Sequence, residues 1–279
     1  MILCVSNKDL YKCRKDLIDM IQDYRNLFSL EGKHALVTGG AQGLGLSIAE
    51  AFCAAGAVGT IADINEESVN AAAKELCDQG GTVYAVTCDV SNEEQVAAMV
   101  RTAAEKMGGL DVMVANAGVS TRAPAEEMTL EQWNRVIDID LKGVFLCARE
   151  AGRYMLANGG GSIINMSSII GIVGNTTGNS NYAAAKGGVS SLTKVMAVEW
   201  AQRGIRVNAI APAQTATKLI EGLMRDNPAT RKYFEEHIPM GRLGKPCEIA
   251  SAAVFLAADA TSFVTGQTIA VDGGVTCAF

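Results

Sequence analysis

The strongest constraint on the fold is the stretch Thr38-Gly39-Gly40-Ala41-Gln42-Gly43-Leu44-Gly45, which lies between an apolar run, His34 to Thr38, and an apolar helical pattern, Gly43 to Ala55. A strand that enters a glycine turn and leaves as a helix presents backbone N–H groups at the positive end of the helix dipole, where an anion such as a pyrophosphate binds. The spacing is G-x-x-x-G-x-G. It is not G-x-G-x-x-G, because Ile48 stands where the last glycine of that pattern would fall. A glycine triple alone is weak evidence. Its place at the end of the first strand gives it weight, since open α/β sheets bind ligands beyond the carboxyl ends of their strands.

The rest of the chain repeats that strand-then-helix rhythm. Short apolar or β-branched runs fall at His34 to Thr38, Val58 to Ala62, Val83 to Cys88, Leu110 to Ala115, Ser162 to Met166, Arg206 to Ile210 and Thr268 to Val271. Between them lie helical patterns at Gly43 to Ala55, Glu66 to Gln79, Glu93 to Met107, Leu130 to Leu156, Tyr182 to Gln202 and Cys247 to Ala258. The alternation predicts an α/β fold: one doubly wound, parallel, seven-stranded Rossmann sheet with helices on both faces, in a single domain over residues 29–279. Gly159-Gly160-Gly161 is a turn inside that domain. Residues 1–28 stand outside the rhythm as an N-terminal extension. Leu10, Leu17, Ile18, Ile21 and Tyr24 recur there at helical steps and predict a short amphipathic helix, and Met20 is an alternative start.

Composition narrows the function classes. The net charge is −6, with no cluster of Lys or Arg, which argues against a nucleic-acid or anionic-membrane surface. No apolar stretch approaches the ~20 residues of a membrane span, and the run Met1 to Val5 is too short for a signal-peptide core. The eight cysteines, Cys4, Cys13, Cys53, Cys77, Cys88, Cys147, Cys247 and Cys277, are scattered without a C-x-x-C pair. They read as reduced thiols of a cytoplasmic protein. His34 and His237 have no neighbour at metal-ligand spacing, so no metal is expected.

Asp63 closes the second strand. A carboxylate there accepts hydrogen bonds from ribose hydroxyls and repels a 2′-phosphate, which favours NAD over NADP, and Gln42 in the turn offers no cation to a 2′-phosphate. Asp89-Val90 after the third strand and Asn116-Ala117-Gly118 after the fourth fall on the same sheet edge. They are expected to contact the adenine and shape the cofactor floor.

Tyr182 and Lys186, in Tyr-Ala-Ala-Ala-Lys, stand one helical turn apart on one face. A phenol is a poor base at neutral pH, and a nearby cation favours its phenolate, so the pair makes a usable proton relay. Tyr11 and Lys15 repeat the spacing in the extension and read as surface charge. What sets Tyr182 apart is the upstream strand ending Asn165-Met166-Ser167-Ser168, which brings a hydroxyl to the sheet edge.

On these residues the chain resembles the short-chain dehydrogenase/reductase family over residues 29–279. The matches are the T-G-x-x-x-G-x-G turn, Asn116-Ala117-Gly118, Ser168, Tyr182 with Lys186, and Pro212 to Thr217. The resemblance implies hydride transfer between nicotinamide and a secondary alcohol or ketone, with Tyr182 as general acid/base and Ser168 orienting the substrate oxygen. Lys186 would lower the tyrosine pKa and bind the nicotinamide ribose. The resemblance also implies cofactor contacts from Gly39, Gln42, Gly43, Leu44, Gly45, Val90, Pro212, Thr215 and Thr217. Three departures stand out. Asp140, in Asp-Leu-Lys-Gly, replaces the usual Asn; it can still hold a relay water but adds negative charge near Lys186, which predicts a shifted pH profile. The interval from Ser168 to Tyr182 is one residue longer than the common family spacing, which predicts a bulge between Gly171 and Asn181. Pro212-Ala213 replaces Pro-Gly.

Lys218 to Gly241, rich in Leu219, Leu223, Met224, Tyr233 and Phe234, reads as a lid over the substrate, with an ordinary helix pair as the alternative. Asp23-Tyr24-Arg25, the long Ser-to-Tyr loop and Pro239-Met240-Gly241-Arg242 look similar to polyol and sugar-alcohol dehydrogenases of the family. Hydroxysteroid and 3-oxoacyl reductases share the scaffold, and a non-catalytic NAD-binding scaffold or sensor is the rival of another class. The apolar end, Ile269 to Phe279, predicts subunit contacts, which the family uses in homotetramers.

Overall fold

A computed structural model describes residues 26–174, 178–217, 220 and 228–278. Its sheet is built from β1 (His34–Thr38), β2 (Val58–Asp63), β3 (Thr82–Thr87), β4 (Val112–Ala115), β5 (Gly161–Met166), β6 (Ile205–Pro212) and β7 (Thr268–Val271). The strand order is β3-β2-β1-β4-β5-β6-β7, and every pair is parallel. The expected seven-stranded Rossmann sheet is therefore present. Its central strands are apolar on both faces, as a sheet covered twice must be.

The helices are α1 (Gly43–Ala54), α2 (Glu66–Asp78), α3 (Glu93–Met107), α4 (Leu130–Ile137), α5 (Val144–Ala157), α6 (Ser180–Trp200), α7 (Pro228–His237) and α8 (Pro246–Ala257). Local chemistry sets several of their starts. Asn65 and Asn92 cap α2 and α3 by accepting from Ser68 N and Gln95 N, and Thr129 opens α4 with a capping box to Gln132. Two apolar cores cover the two sheet faces. One joins α1, α2 and α8 through Ile48, Phe52, Val69, Leu76, Ile249 and Leu256. The other joins α3, α5 and α6 through Met99, Val100, Met155, Val189 and Trp200, whose ring lies where a side chain at Gly152 would stand.

This division positions the site. The steps from β1 to β3 and from β3 to β6 run in opposite directions across the sheet and use opposite faces, as parallel crossovers of one hand require. The step from β6 to β7 runs the second way, yet α8 packs on the α1 face, so that connection has the opposite hand. It carries Ala216, Thr217 and Pro246 over to the glycine turn, with which they line one cleft.

Several expected elements differ in their bounds by one or two residues, and two differences bear on the site and the sheet. The helix expected over Leu130 to Leu156 is interrupted by a π-helical turn, Asp138–Gly143, that joins α4 to α5. β4 begins at Val112 and not Leu110, and just before it the Asp111 carboxylate accepts from the His34 backbone N–H at 2.8 Å and meets the His34 ring at 2.9 Å. The extension helix, Tyr11 and Lys15 lie outside the described residues, as do residues 175–177 of the Ser-to-Tyr loop and most of the segment from 218 to 227.

Candidate active site

The glycine turn is shaped by close approach. A Cβ at Gly45 would stand 2.1 Å from the Gly39 carbonyl oxygen, so only glycine lets α1 start this near the end of β1. Gly43 has φ +59° and faces open space, its nearest prospective neighbour being the Thr217 methyl at 4.0 Å. Gln42 occupies the N-cap of α1 without a side-chain hydrogen bond, and the first turn holds no acidic residue. The helix N-terminus therefore presents unsatisfied N–H groups beside an uncrowded glycine, which fits a pyrophosphate. A cleft of about 320 Å³ flanks it, lined among others by Gln42, Gly43, Ser68 and Thr217.

Thr38 and Asn116 lock this turn to β4. Asn116 Nδ2 donates to the carbonyls of Thr38 at 2.9 Å and Gly39 at 3.2 Å, while the N–H groups of Asn116 and Ala117 donate to Thr38 Oγ1. The Asn116 side chain is thus committed to the turn's backbone. Asp63 Oδ2 accepts from Ala41 N at 3.3 Å and Oδ1 from Asn65 N at 3.2 Å, so its carboxylate stands at the β2 end next to the turn. Asp89 Oδ1 accepts from the N–H and hydroxyl of Ser91, and Val90 packs against Gly143. Thr215 is buried with its hydroxyl on the Ala213 carbonyl, which leaves Thr217 to face the turn.

On the other side of β4, α6 carries Tyr182 and Lys186 over the end of β5. Lys186 is 3% exposed; its Nζ donates to the Met166 carbonyl at 2.9 Å, lies 3.1 Å from Asp140 Oδ2 and sits 5.4 Å from the Tyr182 ring centroid. Burial alone would lower its pKa, but Tyr182 and Asp140 outweigh burial and hold it above the usual lysine value. Asp140 is fully buried. Burial raises its pKa, against the opposing pull of Lys186 and the Val119 N–H.

The two adjacent serines have different partners. The Ser167 hydroxyl donates to the Lys186 carbonyl at 2.9 Å and meets Ser190 Oγ at 2.9 Å. Among the described residues, Ser168 Oγ accepts from Ile170 N, at 3.2 Å, as the cap of the short turn Ile169–Gly171, and its hydroxyl donates to none of them.

Asn181 was not singled out by sequence. It is fully buried, with Nδ2 donating to Thr121 Oγ1 at 2.7 Å and the Gln132 carbonyl at 3.0 Å, and with Oδ1 accepting from Tyr182 N. It fixes the start of α6 and hence Tyr182. The sole signal was a polar residue beside the tyrosine, which is no pattern. Ile169 and Ile170 pack with Phe234 and Ile238, so the end of α7 rests on the turn that follows Ser168.

Known proteins resemble this chain along most of its length. A family model described as enoyl-(acyl carrier protein) reductase matches residues 39–276. A cis-4-hydroxycyclohexanecarboxylate dehydrogenase from Sinomonas cyclohexanicum is 46% identical over 243 residues, covering 87% of this chain and 96% of that one. A galactitol 2-dehydrogenase (L-tagatose-forming) from Cereibacter sphaeroides is 41% identical, covering 91% and 99%. The crystal structure of a gluconate 5-dehydrogenase from Burkholderia cenocepacia J2315 in complex with NADP and tartrate superposes with a TM-score of 0.86 at 37% identity, covering 91% and 99%.

Proposed function

The chain belongs to the short-chain dehydrogenase/reductase family of oxidoreductases acting on CH–OH groups, and on that premise we propose that it is an NAD-dependent dehydrogenase of polyol or sugar-like secondary alcohols. The observation that carries the reading is the convergence of Ser168, Tyr182 and the buried Lys186 at the end of β5, with β4 between them and an uncapped glycine turn at the end of β1. NAD, when bound, supplies the nicotinamide carbon that accepts the hydride. Ser168 Oγ donates to the substrate oxygen and orients it. Tyr182 takes the hydroxyl proton as a phenolate that the Lys186 ammonium favours, and returns it when the reaction runs toward the alcohol. Lys186 would also hold the nicotinamide ribose when the cofactor is bound.

Gly39, Gln42, Gly43, Leu44 and Gly45 hold the pyrophosphate through backbone amides, with Thr217 across the cleft. Asp63 takes the ribose hydroxyls and disfavours a 2′-phosphate; Asp89, Val90, Asn116, Ala117 and Gly118 shape the adenine floor; Pro212 and Thr215 set the turn that presents Thr217. The catalytic domain is residues 29–279, since Leu30 is already fully buried in the α1 core. The six described cysteines are free, which supports a cytoplasmic setting. Exposed Val195 and Val198 on α6, Phe145 on α5 and the half-buried edge strand β7 support a homotetramer. No helix among the described residues is long and apolar enough to cross a membrane.

The test is turnover of a panel of polyols, sugar acids and cyclic secondary alcohols with NAD and with NADP. Sugar acids belong in it because Arg122 is exposed and has no ion-pair partner among the described residues, while its neighbours Thr121 and Ala123 bond to Asn181 and Gly178. NADH formation with a polyol or sugar-like alcohol is the expected result. Binding of NAD without turnover of any alcohol would overturn the catalytic reading, and a higher kcat/KM with NADP would overturn the cofactor assignment.

A further inference from the structure

The π turn between α4 and α5 brings Asp140 under α6, with neither it nor Lys186 open to solvent. Its Oδ1 accepts from Val119 N at 2.8 Å. Its Oδ2 lies 3.1 Å from Lys186 Nζ without hydrogen-bond alignment, so the contact is an ion pair and Oδ2 has no hydrogen-bond partner among the described residues. Gly118 makes room for the carboxylate, since a Cβ there would stand 2.6 Å from Oδ2.

The charges around this carboxylate are few. From α6 it faces Lys186, with Tyr182 beyond at 5.4 Å from the ammonium. From the end of β4 it meets the Val119 N–H and Gly118. Asp138 and Lys142 of its own turn pair with each other at 2.7 Å, half exposed. Among the described residues, the charge beneath the phenol is therefore the sum of one ammonium and one carboxylate. A lone buried ammonium would favour the phenolate strongly, and a carboxylate paired with it cancels most of that field.

We propose that Asp140 is a positioning residue that acts through Lys186: its carboxylate holds the ammonium beneath Tyr182, offsets its charge, and so sets the pH at which the phenol gives up its proton. Burial, which raises the Asp140 pKa, adds a second consequence. When Asp140 takes a proton the ammonium stands uncompensated, so the charge under the phenol becomes more positive as pH falls.

The proposal rests on the catalytic reading above, and two measurements separate them. Asp140→Asn keeps the size of the side chain and an oxygen for Val119 while removing the negative charge. The acid limb of the kcat/KM profile for alcohol oxidation should then move down by about 1 pH unit, because the phenolate forms more readily. The second measurement needs no turnover: phenolate absorbance of the cofactor-free protein is titrated with and without Tyr182→Phe, in the native and Asp140→Asn backgrounds. The Tyr182 transition should fall by the same interval. Should Asp140→Asn fail to fold, Gly118→Ala crowds Oδ2 away from Lys186 and should shift the transition in the same direction. An unchanged or raised Tyr182 transition in a folded variant would overturn the proposal. Absence of turnover with an intact downward shift would overturn the catalytic reading and leave the proposal standing.

Discussion

The edge of the sheet is built differently on the two sides of β4. On the β1–β2 side the groups offered to a ligand are backbone N–H groups and one carboxylate, and side chains such as Asn116 and Thr38 are used to hold that backbone in place. On the β5–α6 side the backbone is closed into a strand and a helix, and what gathers there is a hydroxyl and a phenol above a buried ion pair. An anion grip made of amides depends on the space left by missing Cβ atoms. A proton relay depends on individual side chains and on the charge beneath them. The first half should therefore fail by crowding and the second by chemistry, with little exchange between the two.

The largest effect is expected from Gly45→Ala, where the added methyl meets the Gly39 carbonyl at 2.1 Å. Dinucleotide binding measured by calorimetry should be lost, and a native Kd would break the comparison at its first half. Tyr182→Phe should lower kcat by about 10²–10⁴-fold. Its Kd for NAD should stay at the native value, and retained turnover would remove the tyrosine from the relay.

Asp63→Ala should relax the kcat/KM ratio of NAD over NADP by about tenfold, about 1.4 kcal/mol of discrimination. An unchanged ratio would sink the ribose role. The smallest effect is expected from Asn116→Ala, which removes two bonds to the turn carbonyls and should reduce stability in urea unfolding by about 1–2 kcal/mol. Its effect should appear as weaker dinucleotide binding and not as a changed pH profile. A pH shift in that variant would mean that the two halves are coupled through β4.

Much of this arrangement was legible in residue order. Strand-helix alternation and the glycine turn led to the sheet, and the Tyr182–Lys186 spacing put both groups on one face of α6, since 3.6 residues per turn leaves no other choice. Residue order puts both Ser167 and Ser168 at the end of β5, and only the packed structure separates them, by bonding the Ser167 hydroxyl to Lys186 and Ser190. Residue order places Asn116 at the cofactor floor, but not the bonds of its amide to the Thr38 and Gly39 carbonyls, because a strand-end side chain's target depends on a neighbouring strand far away in the chain. The π turn at Asp138–Gly143 left no mark in the apolar pattern, which continues across it.

Sequence alone determined the class of fold and the place of the glycine turn, because each follows from local periodicity or from residues close together in the chain, and it supplied Ser168, Tyr182 and Lys186 as candidates through a family resemblance. Tertiary structure alone decided that α8 crosses back over the α1 face to bring Thr217 to Gly43, and that Asp140 pairs directly with Lys186 beside Gly118. Those facts depend on the hand of a crossover and on the burial of two charges from separate helical segments. Burial and crossover hand are properties of the packed chain, and no stretch of sequence holds either one by itself.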